Sequence, residues 1–150
     1  MANFSATAEK PFLKQEPHQA AVTGFIHMEG EAAVCTLAIH FSESAILHIG
    51  SAMLNESLTE IDDQIADLVG EITNMVTGST KKILWDKGLG FELSRPEIFL
   101  RQSEYQHILP HRVVVVPFTS EHGSFQIEAC MKDRRQQASW GKYSVDQQMV

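Results

Sequence analysis

Cysteine is scarce in this sequence, with two in 150 residues. Cys35 and Cys130 each stand in an apolar run with strand character, so they read as two buried thiols of a cytoplasmic protein rather than as a disulfide frame. Basic residues are also short: 12 Lys and Arg face 19 Asp and Glu, for a formal net charge of -7 with His neutral. A surface of that sign repels phosphate backbones, which argues against nucleic-acid binding. The one basic cluster near the end is Lys132, Arg134 and Arg135.

Long apolar runs are missing too. None approaches the roughly 20 residues that span a bilayer, which argues against a membrane location. The first ten residues lack the charged-then-apolar order of a signal peptide, so the expected compartment is the cytoplasm. There is no Gly-x-Ser-x-Gly elbow for a serine nucleophile, and neither cysteine has reactive-looking surroundings. Seven histidines do not make a metal site by themselves. His107 and His111 stand four apart, a spacing that converges only on a helix, and Pro110 between them opposes one. No cluster of cysteines or carboxylates joins them, and the expectation is no metal. His40 and His48 lie near apolar residues and read as satisfied core or rim side chains.

What is present describes one domain. A chain of 150 residues can close a real core, and 43% hydrophobic with 21% charged residues is ordinary for a globular protein. Residues 1–19, with Lys10-Pro-Phe-Leu-Lys14 and Pro17, read as an extended or loose segment. Residues 22–27 and 33–39 are β-branched, apolar runs separated by Glu29-Gly-Glu31, a hairpin whose second strand is central or covered on both faces. Ser42 to Ser44 cap a short helix with Ala45, Ile46, Ile49 and Met53 inward. A long helix follows, and Lys87-Gly-Leu-Gly90 ends it. Residues 91–93 form a short strand, while 98–100 and the region of Tyr105 are weaker candidates. Residues 112–118 and 125–130 are strong strands joined by a turn over 119–124. Beyond Met131 the chain is polar and aperiodic, so residues 20–131 are the domain and 132–150 a tail. No repeat or low-complexity segment is seen. The expected fold is α+β, an antiparallel sheet with a helical pair packed on one face.

The long helix is the centre of this arrangement. Over residues 55–78, Leu58, Ile61, Ile65, Leu68, Ile72 and Met75 fall at alternating steps of three and four, predicting one buried stripe. By the same pattern Met75 and Val76 are core residues. Ser57 with Glu60, or Thr59 with Asp62, marks the start as a capping box. Gly78 allows an end, although the apolar pattern continues to Trp85. Asp67, Glu71, Asn74 and Gly78 follow at steps of four, three and four, a second stripe roughly opposite the first. Any solvated helix face carries acids and amides, so the stripe alone does not define a site.

Asp67-x-x-x-Glu71-x-x-Asn74, followed by Pro96, resembles the signature of the CheC/CheX/FliY phosphatases of bacterial chemotaxis. The single motif Asn74-Met-Val-Thr-Gly78 after Glu60-Ile-Asp-Asp63 is most similar to CheX. Lys10-Pro-Phe-Leu-Lys14, Val22-Thr-Gly-Phe-Ile26, and Val116-Pro-Phe118 with Glu121-His-Gly123 support it, and the resemblance spans about residues 10–131. It implies a CheC/CheX-like fold and hydrolysis of the phospho-aspartate of a CheY-like response regulator. By transfer, Asn74 orients the attacking water and Glu71 anchors to the regulator's active-site lysine. Asp67, Gly78 and Pro96 become partner contacts. The resemblance further implies a homodimer with no cofactor of its own, the Mg²⁺ being held by the regulator.

A carboxamide is a poor base but can fix a water in line, and positioning is most of what acyl-phosphate hydrolysis requires. A carboxylate one turn earlier suits a lysine in a closing interface. The rival reading is a CheX-like module that binds a regulator without hydrolysis. Three features depart from the family. It usually has a helix ahead of Lys10, where nine residues stand here; a small apolar run with glycine after the proline, where Pro96-Glu-Ile-Phe-Leu-Arg101 stands; and no counterpart of residues 132–150.

Overall fold

The computed structural model describes residues 5–16, 18–101 and 105–134. Its elements are β1 (Thr7–Ala8), β2 (Phe12–Leu13), β3 (Val22–Glu29), β4 (Ala33–Phe41), α1 (Glu43–Leu54), α2 (Asp63–Asp86), β5 (Glu92–Leu93), β6 (Glu97–Leu100), β7 (Val114–Ser120) and β8 (Gly123–Asp133). All the strand pairs are antiparallel, in the order β1-β7-β8-β4-β3-β5, with β2 also on β7 and β6 also on β3. This is the expected α+β architecture.

Alternation along the strands gives the sheet two distinct faces. On one, Val22, Ile39 and Phe41 meet Ile46 and Ile49 of α1 and Ile65 and Val69 of α2. A second cluster of Met28, Ala33, Cys35 and Phe91 receives Leu84 from the end of α2 and Leu89 just beyond it. The apolar β4 is central, as its composition predicts. On the reverse face Thr23, Thr36, His40 and Glu128 are buried.

Both helices begin on side-chain caps. Ser42 Oγ accepts from Ala45 N at 3.2 Å, and Ala45, Ile46 and Ile49 are buried as expected. The start of α2 lies later than the capping boxes suggest. Asp62 is its N-cap, accepting from Ile65 N at 3.1 Å, because α1 runs to Leu54 and Asn55 ends it in the left-handed region. Leu58 therefore belongs to the linker, where Ser51 Oγ accepts from its amide at 3.0 Å. At the other end the helix passes Gly78 and stops at Lys87, and Gly88, with φ 86°, reverses the chain as only glycine does easily.

The buried stripe of α2 is also rotated from its expected course. The residues below the surface are Ile65, Leu68, Val69, Thr73 and Thr77, while Met75 is 43% exposed. Steps averaging under 3.6 residues walk around a straight helix, so the apolar series leaves the sheet before Met75. Threonines replace it because their hydroxyls are satisfied within the helix: Thr73 Oγ1 donates to Val69 O and Thr77 Oγ1 to Thr73 O, both at 2.7 Å. Val76 is partly buried against the core.

Elsewhere the differences are local. The described part of the N-terminal segment contributes β1 and β2 to the edge of β7. The final hairpin is tighter than expected, since Thr119 pairs with Ser124 and Ser120 with Gly123, leaving Glu121 and His122 as the turn. Residues 105–107 are not a strand: Tyr105 and His107 turn their polar tips onto Glu128, which exempts them from sheet pairing. Strand β8 continues to Asp133. Arg134 follows it, its amide donating to Ala32 O at 2.8 Å, and residues 135–150, with Arg135, lie outside the described residues, as does Pro17.

Candidate functional site

Asp67, Glu71, Asn74 and Gly78 all lie exposed along one flank of α2. The helix supports them from behind, since Thr73 and Thr77 alternate with the stripe and are fully buried. Among the described residues the Glu71 and Asn74 side chains have neither hydrogen bond nor ion pair, and only the Asn74 carbonyl is engaged, by Thr77 Oγ1 at 3.3 Å. They are uncommitted groups one helical turn apart on a rigid element. A β-carbon at Gly78 would meet nothing within 4 Å, so the flank is open beside Asn74.

The second wall of this surface is β6, held by pairing with β3. Ile98 Cδ1 lies 3.8 Å from where a β-carbon of Gly70 would stand, which places β6 alongside the helix. Pro96, partly buried, immediately precedes the strand. Leu100 and Met75 add exposed apolar surface that sequence periodicity does not assign to the flank, following from the edge position of β6 and the rotation of α2, while Ile98 is partly buried against the core. The result is an acidic, partly apolar helix flank rather than an enclosed pocket, a shape suited to a macromolecular substrate. It can pair with a cation through a carboxylate and orient a water through a carboxamide.

The two cysteines lie in surroundings that oppose nucleophilic chemistry. Burial pushes the Cys35 thiol up to about 11, with Cys130 adding to the effect, and burial also raises Cys130. Neither is a thiolate nucleophile near neutral pH. Both are free and buried, and Cys130 Sγ donates to Leu109 O at 3.4 Å. Among the described residues no group of three or more His, Cys, Asp or Glu is arranged to hold a metal ion. Likewise, no helix there is long and apolar enough to cross a membrane.

His40 and His107 serve the reverse face. Glu128 Oε1 accepts from His107 Nε2 and Lys14 Nζ at 3.0 Å and from Tyr105 OH at 3.1 Å. Oε2 lies 2.9 Å from His40 Nε2 and 3.0 Å from Lys14 Nζ as ion-pair contacts, without a well-directed hydrogen bond. Thr23 Oγ1 and Thr36 Oγ1 meet the Nδ1 atoms of His40 and His107 at 2.7 and 2.6 Å. Hydroxyl donation there leaves each Nε2 to carry the proton, which His107 donates to Glu128 Oε1 and His40 donates to the Tyr105 hydroxyl 2.6 Å away. His40 is thus a satisfied core residue, as its neighbours suggest, while His48 stacks on His122 at 3.6 Å. The Glu128 cluster has no sequence signal, because its members come from four separate segments.

The comparisons with known proteins concern the family and the fold. Residues 22–119 match the family described as Chemotaxis phosphatase CheX. No curated protein matches the chain. Among solved structures, chemotaxis protein CheX from Vibrio vulnificus is 32% identical with a TM-score of 0.82, the match covering 88% of this chain and 89% of that one. A CheC-like superfamily protein from Shewanella sp. PV-4 is 37% identical with a TM-score of 0.81, covering 88% and 87%. A CheX-CheY-BeF3-Mg²⁺ complex from Borrelia burgdorferi shares the fold at 17% identity and a TM-score of 0.70, over 84% and 83%. With the family model matching residues 22–119 and solved relatives of 32% and 37% identity sharing the fold, the chain belongs to the CheX family of chemotaxis phosphatases.

Proposed function

We propose that this chain hydrolyses the aspartyl phosphate of a CheY-like response regulator, with Asn74 orienting the water and Glu71 anchoring to the regulator's active-site lysine. The observation that carries this reading is the pair itself: two uncommitted side chains, one turn apart, on the open flank of a helix seated on the sheet. The Asn74 carboxamide accepts from and donates to one water, aligning its oxygen with phosphorus. The new O–P bond forms as the acyl O–P bond breaks, releasing the regulator's carboxylate and phosphate, and the water's proton passes to the phosphate or to solvent. The transition state is loose, so alignment and charge placement are the main requirements.

Asp67, Gly78 and Pro96 are proposed as partner contacts around the pair. Magnesium belongs to the regulator in this reading; the Borrelia CheX structure, which contains CheY, BeF3 and Mg²⁺ together, supports such a partner. A homodimer in the cytoplasm is part of the same proposal and rests on family resemblance.

The test is the decay of a ³²P-labelled CheY-like regulator with and without this protein. Acceleration that disappears in Asn74→Ala while binding persists, and that falls together with binding in Glu71→Ala, is the expected result. Turnover unchanged in Asn74→Ala overturns the mechanism. Binding without acceleration by the unaltered protein identifies a docking module instead.

A further inference from the structure

Gly24 is where the motif helix touches the sheet. Its backbone is ordinary strand, so what glycine supplies is space: a β-carbon there would overlap Thr73 Oγ1 outright, with Val69 Cγ1 at 3.1 Å and Thr73 Cβ at 3.2 Å. The struck atom is not a loose chain end. Thr73 is fully buried, β-branched, and tied through its hydroxyl to Val69 O at 2.7 Å. Asn74 is the next residue along the same helix, and Glu71 lies two before Thr73.

From this contact we infer that Gly24 and Thr73 are positioning residues for the hydrolysis, forming the seat that sets the height and rotation of α2 under Asn74. The inference rests on the phosphatase reading above. Sliding at the helix ends does not relieve a push at this point. The N-terminal half is locked through Ile65 and Val69 into the cluster with Ile46 and Ile49, and Leu84 packs near the C-terminal end. Pressure at Thr73 therefore lifts or rolls the middle of α2, where Asn74 stands. Docking is spread over a flank running from Asp67 to Gly78 and tolerates such a movement. Water alignment does not, since a misplacement of about 1 Å costs on the order of 100-fold. Damage at the seat should therefore separate turnover from affinity.

The experiment compares Gly24→Ala, Gly24→Ala with Thr73→Ala, and Gly24→Ala with Thr73→Val, each Thr73 variant also being made alone. Turnover is read on a ³²P-labelled CheY-like regulator, and affinity on the same regulator loaded with BeF3 and Mg²⁺. Gly24→Ala is expected to lower kcat by about tenfold or more while affinity changes less than about threefold. Adding Thr73→Ala removes both γ atoms and should restore turnover. Adding Thr73→Val keeps both γ positions filled and should not. Unchanged kcat in folded Gly24→Ala overturns the seat, and so does a parallel fall of kcat and affinity that Thr73→Ala leaves uncorrected. Where Gly24→Ala alone does not fold, the Thr73→Ala double variant decides: recovery of fold and turnover supports the seat, and failure of both overturns it. Absence of turnover in the unaltered protein is a separate result, which removes the phosphatase reading itself.

Discussion

Under α1 and α2 the sheet offers Val22, Ile39 and Phe41 to Ile46, Ile65 and Val69, whereas its reverse buries Thr23, Thr36, His40 and Glu128 beneath Lys14, Tyr105 and His107. One face is held by shape and the other by charge and direction. Apolar burial is non-directional and yields gradually when trimmed. A buried carboxylate ringed by donors depends on every partner, and loss of one leaves an uncompensated group in low dielectric. The motif helix sits on the face held by shape, so its position is a matter of fit at contacts such as Gly24 with Thr73. The N-terminal segment and residues 105–113 are fastened on the face held by charge, at a distance from the candidate chemistry.

The largest effect expected from breaking this contrast is at Glu128, whose side chain is 0% exposed. Glu128→Ala strands Lys14, His40 and His107 and should cost about 3–5 kcal/mol in urea unfolding, while turnover per folded molecule stays at the unaltered level. A loss below 1 kcal/mol, of the size typical for exposed pairs, would remove the distinction between the faces.

The same cluster fixes a pH dependence. Burial by itself raises the Glu128 carboxyl, but the hydrogen bond from His107, the close approach of the His40 imidazole and the Lys14 ammonium outweigh it and hold the group well below the ordinary value of 4.5. The unfolded chain then binds the proton more readily than the native one, so stability rises with pH across the window. The Glu128 contribution is complete above 4.5 and is lost as pH falls below it. Unfolding curves recorded downward from pH 7 should show the loss, and Glu128→Gln should flatten it.

On the apolar face, Ile65→Ala should cost about 2–5 kcal/mol through lost burial and the cavity left behind. Its cost should not vary with pH between 7 and 4, in contrast to the Glu128 variants. Chemical unfolding at the two pH values checks this, and a pH-dependent cost would show that the two faces are coupled.

How much of this is legible in the sequence differs between the faces in the same way. The hairpin, the Ser42 cap, the end of α2 at Lys87 and the strong final strands are local patterns, and each is found close to where its residues indicate. The exposed stripe of Asp67, Glu71, Asn74 and Gly78 is legible for the same reason, since one helix carries all four. Three features depend on tertiary context. The rotation of the buried stripe needs Gly24 to admit Thr73, the later start of α2 needs α1 to end at Asn55, and the Glu128 cluster joins Lys14, His40, Tyr105 and His107 across the whole fold. Tyr105 and His107 carry strand-like composition but spend their polar groups on Glu128.

The smallest effect on stability separates the two courses of the helix stripe most directly. Apolar spacing places Met75 in the core, where truncation to alanine costs about 2–5 kcal/mol. The structure instead leaves it 43% exposed beside Asn74, where truncation should change stability by no more than about 0.5 kcal/mol. Position also gives it something to lose. An unbranched thioether next to the proposed water-orienting amide is adaptable apolar surface for a docking regulator. Met75→Ala should therefore weaken binding of a BeF3-loaded CheY-like regulator while the melting temperature and kcat at saturation remain near those of the unaltered protein. A fall of several kcal/mol in stability would return Met75 to the buried stripe and withdraw it from the docking flank. Unchanged affinity with unchanged stability would confine the partner contact to Asp67, Glu71 and the β6 side of the helix.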